Sequence, residues 1–392
     1  MADTNQVDRV RFTSAQVIAK MCMVVPQLAL VSEEYLTTMF TTCINRINGD
    51  HWQIKGLMAQ ACASLFEYVA RNGQRQVFDP YWYPLMQAMF TVLASPEALN
   101  AGELQGFTGS ICSCIEFCNH ETQKENASQL LPGFLTTVSG YIENAAGVFQ
   151  NHDADQREII LNNYCSIAQP LLYAVGSSLI DDGLLGQIAD LAIYAFTQAQ
   201  KVTSGGLLIL HGLIAAVEER IAPRVGGMMR FLLLAVKMES TDEMGCRLAS
   251  GLISDIANSV MGQIAEHLQD IMPALQANLK DDSLDPHAKL GAIIAIGDVC
   301  LATGGTFTPY AQSALDSFKS ASFMSLQVGG DEDDRVVLEQ LRQALLDGYI
   351  SILHGLRDDG GQRPAPEAAQ REAEAEQFAL QTFQYLEAMV GN

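Results

Sequence analysis

The sequence predicts an all-α chain arranged as a solenoid of helical pairs, and three observations carry that prediction. The first is repetition. Ala249, Leu252, Ile253 and Ile256 follow the i, i+3, i+4, i+7 spacing of one buried helix face. Ala292, Ala295, Ile296 and Val299 repeat it 43 residues later, with Asp255 and Asp298 in equivalent places. The second is a ruler of prolines. Pro84, Pro132, Pro223, Pro273 and Pro309 each stand a few residues into an apolar helix, at spacings of 48, 91, 50 and 36 residues. The 91 is two periods, the intervening helix near Leu184 lacking its proline. The third is composition: 48% apolar and 17% charged residues require a large buried helix surface, while 7% aromatics suit helix-on-helix packing of Leu, Ile, Ala and Met. A period of roughly 40–50 residues belongs to HEAT or armadillo-type repeats, an α-α superhelix of about eight repeats here.

Taken in order, the elements begin with a helix from about Asp8 to Val25 that has no preceding partner, so the array starts in mid-repeat. Polar breaks at Asn72-Gly73, Ser95-Pro96, Asn119-His120, Gly176-Ser177, Asp181-Asp182-Gly183 and Lys280-Asp281-Asp282 then punctuate roughly sixteen helices. Proline is tolerated in a first helical turn and bends a helix when deeper. The proline-bearing member of each pair is therefore the outer, bent one. From 205 to 330 the cycle is plainest, a proline-bearing helix and an apolar helix alternating. The array runs over 1–358; residues 359–377, opening Gly360-Gly361-Gln362-Arg363-Pro364, form a linker and polar loop. In 378–392, Phe378, Phe383, Leu386 and Met389 restore the apolar face of an outer helix in a last, incomplete repeat.

The charge excludes some partners. Forty-five acidic against 23 basic residues give a net charge of −22. That is the wrong sign for nucleic acid or an anionic membrane, and favours plain solubility or a basic protein partner. The apolar runs Phe231–Val236 and Leu290–Gly297 fall far short of the about 20 residues that cross a bilayer, and residues 1–6 lack a secretory pattern. Nine scattered cysteines, an odd number, read as free thiols in a reducing compartment, cytoplasm or nucleus.

No motif carries catalysis. There is no phosphate-cradling glycine loop after a strand, no His-Glu-x-x-His and no Gly-x-Ser-x-Gly, so neither an enzyme nor a cofactor is expected. Cys112, Cys114, Cys118 and His120 form one thiol-rich cluster. No second ligand pair stands at a zinc-site offset, and buried cysteine is the ordinary reading. Carboxylates are the better lead. Asp153, Asp155 and Glu158; Asp242 and Glu243; Asp281, Asp282 and Asp285; and Asp331, Glu332, Asp333 and Asp334 gather before second helices of repeats. Capping and the helix dipole explain such residues locally. Stacked repeats also align equivalent positions into a row that attracts a basic peptide. The candidate binding set is Asp155, Glu158, Asp242, Glu243, Asp285, Asp331, Glu332 and Asp334.

The segments ASGLISDIANSV, AIIAIGDVCLATGGTF and LEQLRQALLDGYISILHGL resemble the C-terminal half of the importin-β (karyopherin) family. FTSAQVIAKMCMVVPQ, the helix Asp155 to Val175 and QFALQTFQYLEAMVGN resemble it more weakly. The resemblance implies a HEAT superhelix of convex outer and concave inner helices, acting as a nuclear import receptor in cytoplasm, nucleus and nuclear pore. It implies that basic cargo or the basic segment of importin-α binds the concave face, that Ran GTPase is a further partner, and that phenylalanine-glycine nucleoporins occupy grooves between outer helices. Those grooves would be lined by Met228, Met229, Leu232, Leu268, Met272 and Leu275. Gln60 stands where the family leads one to expect a partner-binding tryptophan. The alternative is a HEAT scaffold for complex assembly without a transport role; repeats of 43 to 50 residues are longer than those of the phosphatase scaffold subunit.

Overall fold

The computed structural model describes residues 2–30, 32–100, 102–143, 152–198, 204–237, 243–324 and 332–357, with isolated positions at 373, 377 and 380. Sixteen α-helices and no strand occur among the described residues. They are α1 (Ala2–Val24), α2 (Glu33–Gly49), α3 (Trp52–Arg71), α4 (Asp79–Leu93), α5 (Leu104–Glu116), α6 (His120–Glu143), α7 (Ala154–Cys165) and α8 (Ala168–Val175). The remainder are α9 (Asp182–Gln198), α10 (Ser204–Val217), α11 (Val225–Val236), α12 (Glu243–Val260), α13 (Leu268–Lys280), α14 (Pro286–Thr303), α15 (Thr308–Met324) and α16 (Glu332–Arg357).

The fold is the all-α, HEAT-type solenoid of helical pairs. By its contacts the chain forms two compact units, Met1–Gln198 with Leu208–Ala216, and Ala199–Leu207 with Val217–Asn392. Each is built in two layers. In the first unit α2, α4 and α6 pack side by side as first members of pairs, while α1, α3, α5 and α8 make the second layer. In the second unit α11, α13 and α15 form the first layer and α12, α14 and α16 the second. Every proline of the sequence ruler lies on a first-layer element: Pro84 inside α4, Pro132 inside α6, Pro273 inside α13, Pro223 in the 3-10 turn leading into α11, and Pro309 at the second residue of α15. Helix α9, the first-layer helix near Leu184, has none.

The local causes are ordinary ones. Ser32 caps α2 by accepting from the Tyr35 amide at 3.1 Å, and Asp153 and Gln156 form a reciprocal capping box on α7. Asp285 caps α14, with Pro286 in its first turn. The single helix expected over Asp155 to Val175 is interrupted at Ser166–Ile167. Pro170 is the cause: it lacks an amide proton and fits a first turn, so the chain restarts as α8 just ahead of it.

Second-layer helices hand over to the next first-layer helix through a residue with left-handed backbone. It is Gly73 after α3, Gly176 after α8, Glu218 after α10, Met261 after α12 and Gly304 after α14, at φ between 48° and 71°. Glu218, Met261 and Gly304 are spaced 43 and 43 residues apart, the period of the buried stripes. A glycine adopts this conformation freely, whereas Glu218 and Met261 carry a steric cost.

Packing in the first unit centres on Phe40, Phe66 and Phe78, with ring centroids 4.6 to 6.0 Å apart. Buried Trp82 donates its indole N–H to the Cys114 carbonyl at 2.9 Å. In the second unit α16 approaches its neighbours closely at glycines. A Cβ on Gly348 would stand 2.7 Å from Phe318 of first-layer α15, and one on Gly355 would stand 2.6 Å from the Cys300 carbonyl oxygen of α14. The linker at 359–377 and the final helix at 378–392 lie outside the described residues apart from the isolated positions.

Candidate functional site

Second-layer helices in the second unit run parallel. Ser254 and Asn258 of α12 both donate to the Asp298 carboxylate of α14, the latter at 3.3 Å. About two turns earlier on α14, Gly291 faces Ser250 and Arg247. Farther along, Gly297 meets Ser351 and Gly348 of α16, and Cys300 meets Gly355. Residue numbers rise together across both contacts, so the N-termini of α12, α14 and α16 share one edge. Aligned helices put their positive dipole ends there, and carboxylates on that edge are favourable.

The sequence-predicted acidic residues divide accordingly. Glu243 opens α12, Asp285 caps α14, and Glu332 and Asp334 lie in the first turn of α16. These four are brought to the one edge. Asp242 and Asp331 lie outside the described residues. Asp155, exposed in the first turn of α7, and half-buried Glu158 belong to the first unit. The Asp285 carboxylate is committed locally, accepting from the His287 amide at 2.7 Å and lying 3.1 Å from its ring Nδ1. Just before it, hydrogen bonds from the Ser283 hydroxyl and amide hold the Asp281 carboxyl below its ordinary value.

The open side of this second layer carries residues the acidic reading passed over. On α14, Ile294 and Leu301 are 44% and 43% exposed and flank half-buried Asp298. On α16, Ile350 is 52% exposed and lies beside exposed Asp347 and Leu346. Asp298 and Asp347 are both held in place, the latter by Gln343 at 3.0 Å. The signal was present in the sequence. Ile294 and Leu301 fall outside the stripe of Ala292, Ala295, Ile296 and Val299, so α14 is apolar on both sides. The surface can take an amphipathic partner whose apolar side chains are interleaved with cations.

The six residues assigned to nucleoporin grooves are placed differently from expectation. Met228, Met229, Leu232, Leu268, Met272 and Leu275 are all at most 2% exposed and fill the core beneath α11 and α13. They offer no surface to a partner, because a first-layer helix touches its own pair mate and two neighbours, and its wide apolar stripe is consumed by those contacts. On α11 the exposed apolar residue is Leu234, at 51%.

The thiol cluster is packing. Cys114 and Cys118 are buried and Cys112 half-buried. Burial pushes the Cys112 thiol up to about 11 and the Cys118 thiol to about 12, and raises Cys114 further. A zinc ligand needs the opposite shift. His120 bonds through Nε2 to the Ile115 carbonyl at 2.9 Å. Among the described residues no group of three His, Cys, Asp or Glu is disposed to hold a metal ion. Gln60 is exposed on α3 and lines a groove with Gly56, Gly106 and Glu103.

Comparison with known proteins places this architecture. A family model described as importin subunit beta-1-like, TPR repeats, matches residues 50–365. The importin subunit beta-1 of Schizosaccharomyces pombe is 21% identical over 311 residues, covering 77% of this chain and 36% of the relative. A crystal structure of importin beta in an ammonium sulfate condition superposes with a TM-score of 0.80 at 15% identity, over 97% of this chain and 42% of the other. The Kap95 of a Kap95:Nup1 complex gives 0.67 at 17% identity, over 95% and 42%. The chain thus spans about two fifths of the length of these relatives.

Proposed function

Because the chain belongs to the importin subunit beta-1-like family, we propose that it works as a nuclear transport receptor of the karyopherin type, by binding and not by catalysis. The observation that carries this reading is the parallel second layer of the second unit. It sets Glu243, Asp285, Glu332 and Asp334 along one edge. Beside that edge lies an open face of Ile294, Leu301 and Ile350 interleaved with Asp298 and Asp347. A basic amphipathic segment of cargo or of an importin-α-type adaptor fits both features, its cations steered by the acidic edge. Nucleoporins and Ran GTPase are further proposed partners. The complex of the structural relative Kap95 with Nup1 supports the former in kind. Cytoplasm, nucleus and nuclear pore follow as proposed locations.

The test is a titration of the chain with a labelled Arg/Lys-rich amphipathic peptide at several salt concentrations. Binding that weakens steeply between 50 and 200 mM salt is expected, since exposed charges separated by about a Debye length or more are screened. A variant carrying Glu243→Lys and Glu332→Lys should bind at least ten-fold more weakly with unchanged helicity. Absence of binding at low salt, or an unaltered affinity in the variant, refutes the assignment.

A further inference from the structure

Two second-layer helices carry a buried lysine at their fourth residue, Lys55 of α3 and Lys289 of α14, 9% and 5% exposed. A side chain at that position leans back over the first turn, beside the amides that have no helical acceptor. A buried cation is costly unless an anion accompanies it. At Lys289 the preceding loop supplies the anions. Asp285, four residues before the lysine, caps α14. Burial lowers the Lys289 ammonium from its ordinary value, and Asp282 and Asp281, seven and eight residues before it, oppose that shift.

At Lys55 the same offsets hold His51, Asn48 and Ile47. His51 is the N-cap of α3 but makes no side-chain capping bond, and the first turn contains no acidic residue. Asp50, the carboxylate of this short loop, is bound to Arg46 at 2.9 Å and lies 3.9 Å from Arg11. Glu103 packs against Gly56. Among the described residues no carboxylate comes within ion-pair distance of Lys55. Its ammonium stands instead 5.7 Å from the centre of the Trp52 ring. That ring is packed edge-to-face on Phe107, centroids 5.3 Å apart, and its buried indole N–H has no acceptor among the described residues. The start of α3 therefore gathers an ammonium, an indole N–H and uncapped amides with no acceptor among them.

We propose that the N-terminus of α3 binds a carboxylate from outside the chain, in the place that Asp282 and Asp285 fill at α14. The ligand is a free carboxylate ion or the acidic side chain of a peptide. It is held by the Lys55 ammonium and the first-turn amides, with the helix dipole favouring its charge. This inference does not rest on the transport reading, whose acidic edge belongs to the other unit and attracts cations.

The chain has two tryptophans, so two indole N–H resonances report on the full-length protein. Trp52 lies under Lys55, while Trp82 donates to the Cys114 carbonyl and serves as an internal standard. The chain, labelled with ¹⁵N-tryptophan, is titrated with sodium succinate and separately with a short glutamate-rich peptide. Sodium chloride at equal ionic strength is the control. The Trp52 resonance, identified by its loss in Trp52→Phe, should move to saturation while that of Trp82 stays. Lys55→Met keeps the apolar stem without the charge and should weaken the response at least ten-fold. Lys55→Gln is the second variant, with far-UV circular dichroism checking each fold. A response to succinate assigns free carboxylates as ligands, and a response to the peptide alone assigns acidic side chains of a protein. A Trp52 resonance that moves with neither, moves equally in sodium chloride, or responds undiminished in a folded Lys55 variant overturns the proposal.

Discussion

Met261 adopts φ 48° at the junction after α12, where Gly304 at φ 54° occupies the equivalent place 43 residues on. A side chain in the left-handed region costs about 1–2 kcal/mol through the clash of its Cβ with the following carbonyl. Met261 is 56% exposed, so its side chain contributes little burial to offset that cost. Replacing it with glycine removes the clash and adds unfolded-state freedom worth about 0.5–1 kcal/mol. The expected net gain for Met261→Gly is therefore about 0.5–1 kcal/mol, a rise in Tm of about 1–4 °C for a unit of this size. The reciprocal change, Gly304→Ala, imports the clash and should lower stability by about 1–2 kcal/mol. Urea unfolding followed by circular dichroism, with unchanged slope, measures both. If Met261→Gly lowers the midpoint, or if Gly304→Ala leaves it unmoved, strain at these junctions is not what the backbone angles imply.

Two further outcomes are expected. Gly355→Ala places a Cβ 2.6 Å from the Cys300 carbonyl oxygen. This forces α14 and α16 apart and should cost about 1–3 kcal/mol, whereas Gly251→Ala, with open space around it, should be neutral or stabilising in the same melt. The second concerns alkaline pH. Burial raises the Cys112 and Cys118 thiols from 9.0 to about 11 and about 12. Folded pKa values above unfolded ones mean that the unfolded chain ionises first. Stability should hold below pH 9 and decline as pH rises from there through 11 to 12. Cys112→Ala and Cys118→Ala together should reduce the slope of the urea midpoint against pH above 9, and an unchanged slope would exclude these thiols as its source.

Much of the fold could be read from the chain. The stripe at Ala249–Ile256 and its copy at Ala292–Val299 are buried second-layer faces in parallel register. Asp298, a register mark in the sequence, is a physical one too, tied to Ser254 and Asn258. The proline ruler found every first-layer helix it touched. The site was less legible. Spacing identifies an apolar face but does not reveal how many neighbours consume it, so Met272 and Leu275 looked available for a groove and are core. Conversely, Ile294 and Leu301, which lie outside the stripe of Ala292 to Val299, are exposed and were not singled out by spacing. The left-handed junctions at Glu218 and Met261 carry no glycine to announce them. Only the backbone shows that they match Gly304.

That match makes the length of the chain a quantised property in this region. Excising residues 261–303 would join Val260 to Gly304, leaving a second-layer helix followed by a left-handed residue and a proline-bearing helix, all in phase. Duplicating residues 218–260 would insert one complete pair in the same way. A change of another length inside a helix would turn the later part of its buried stripe away from its neighbour, whereas the polar breaks between helices, such as Asp281–Asp285, can absorb one. Growth or shrinkage by whole pairs of helices keeps every stripe in phase.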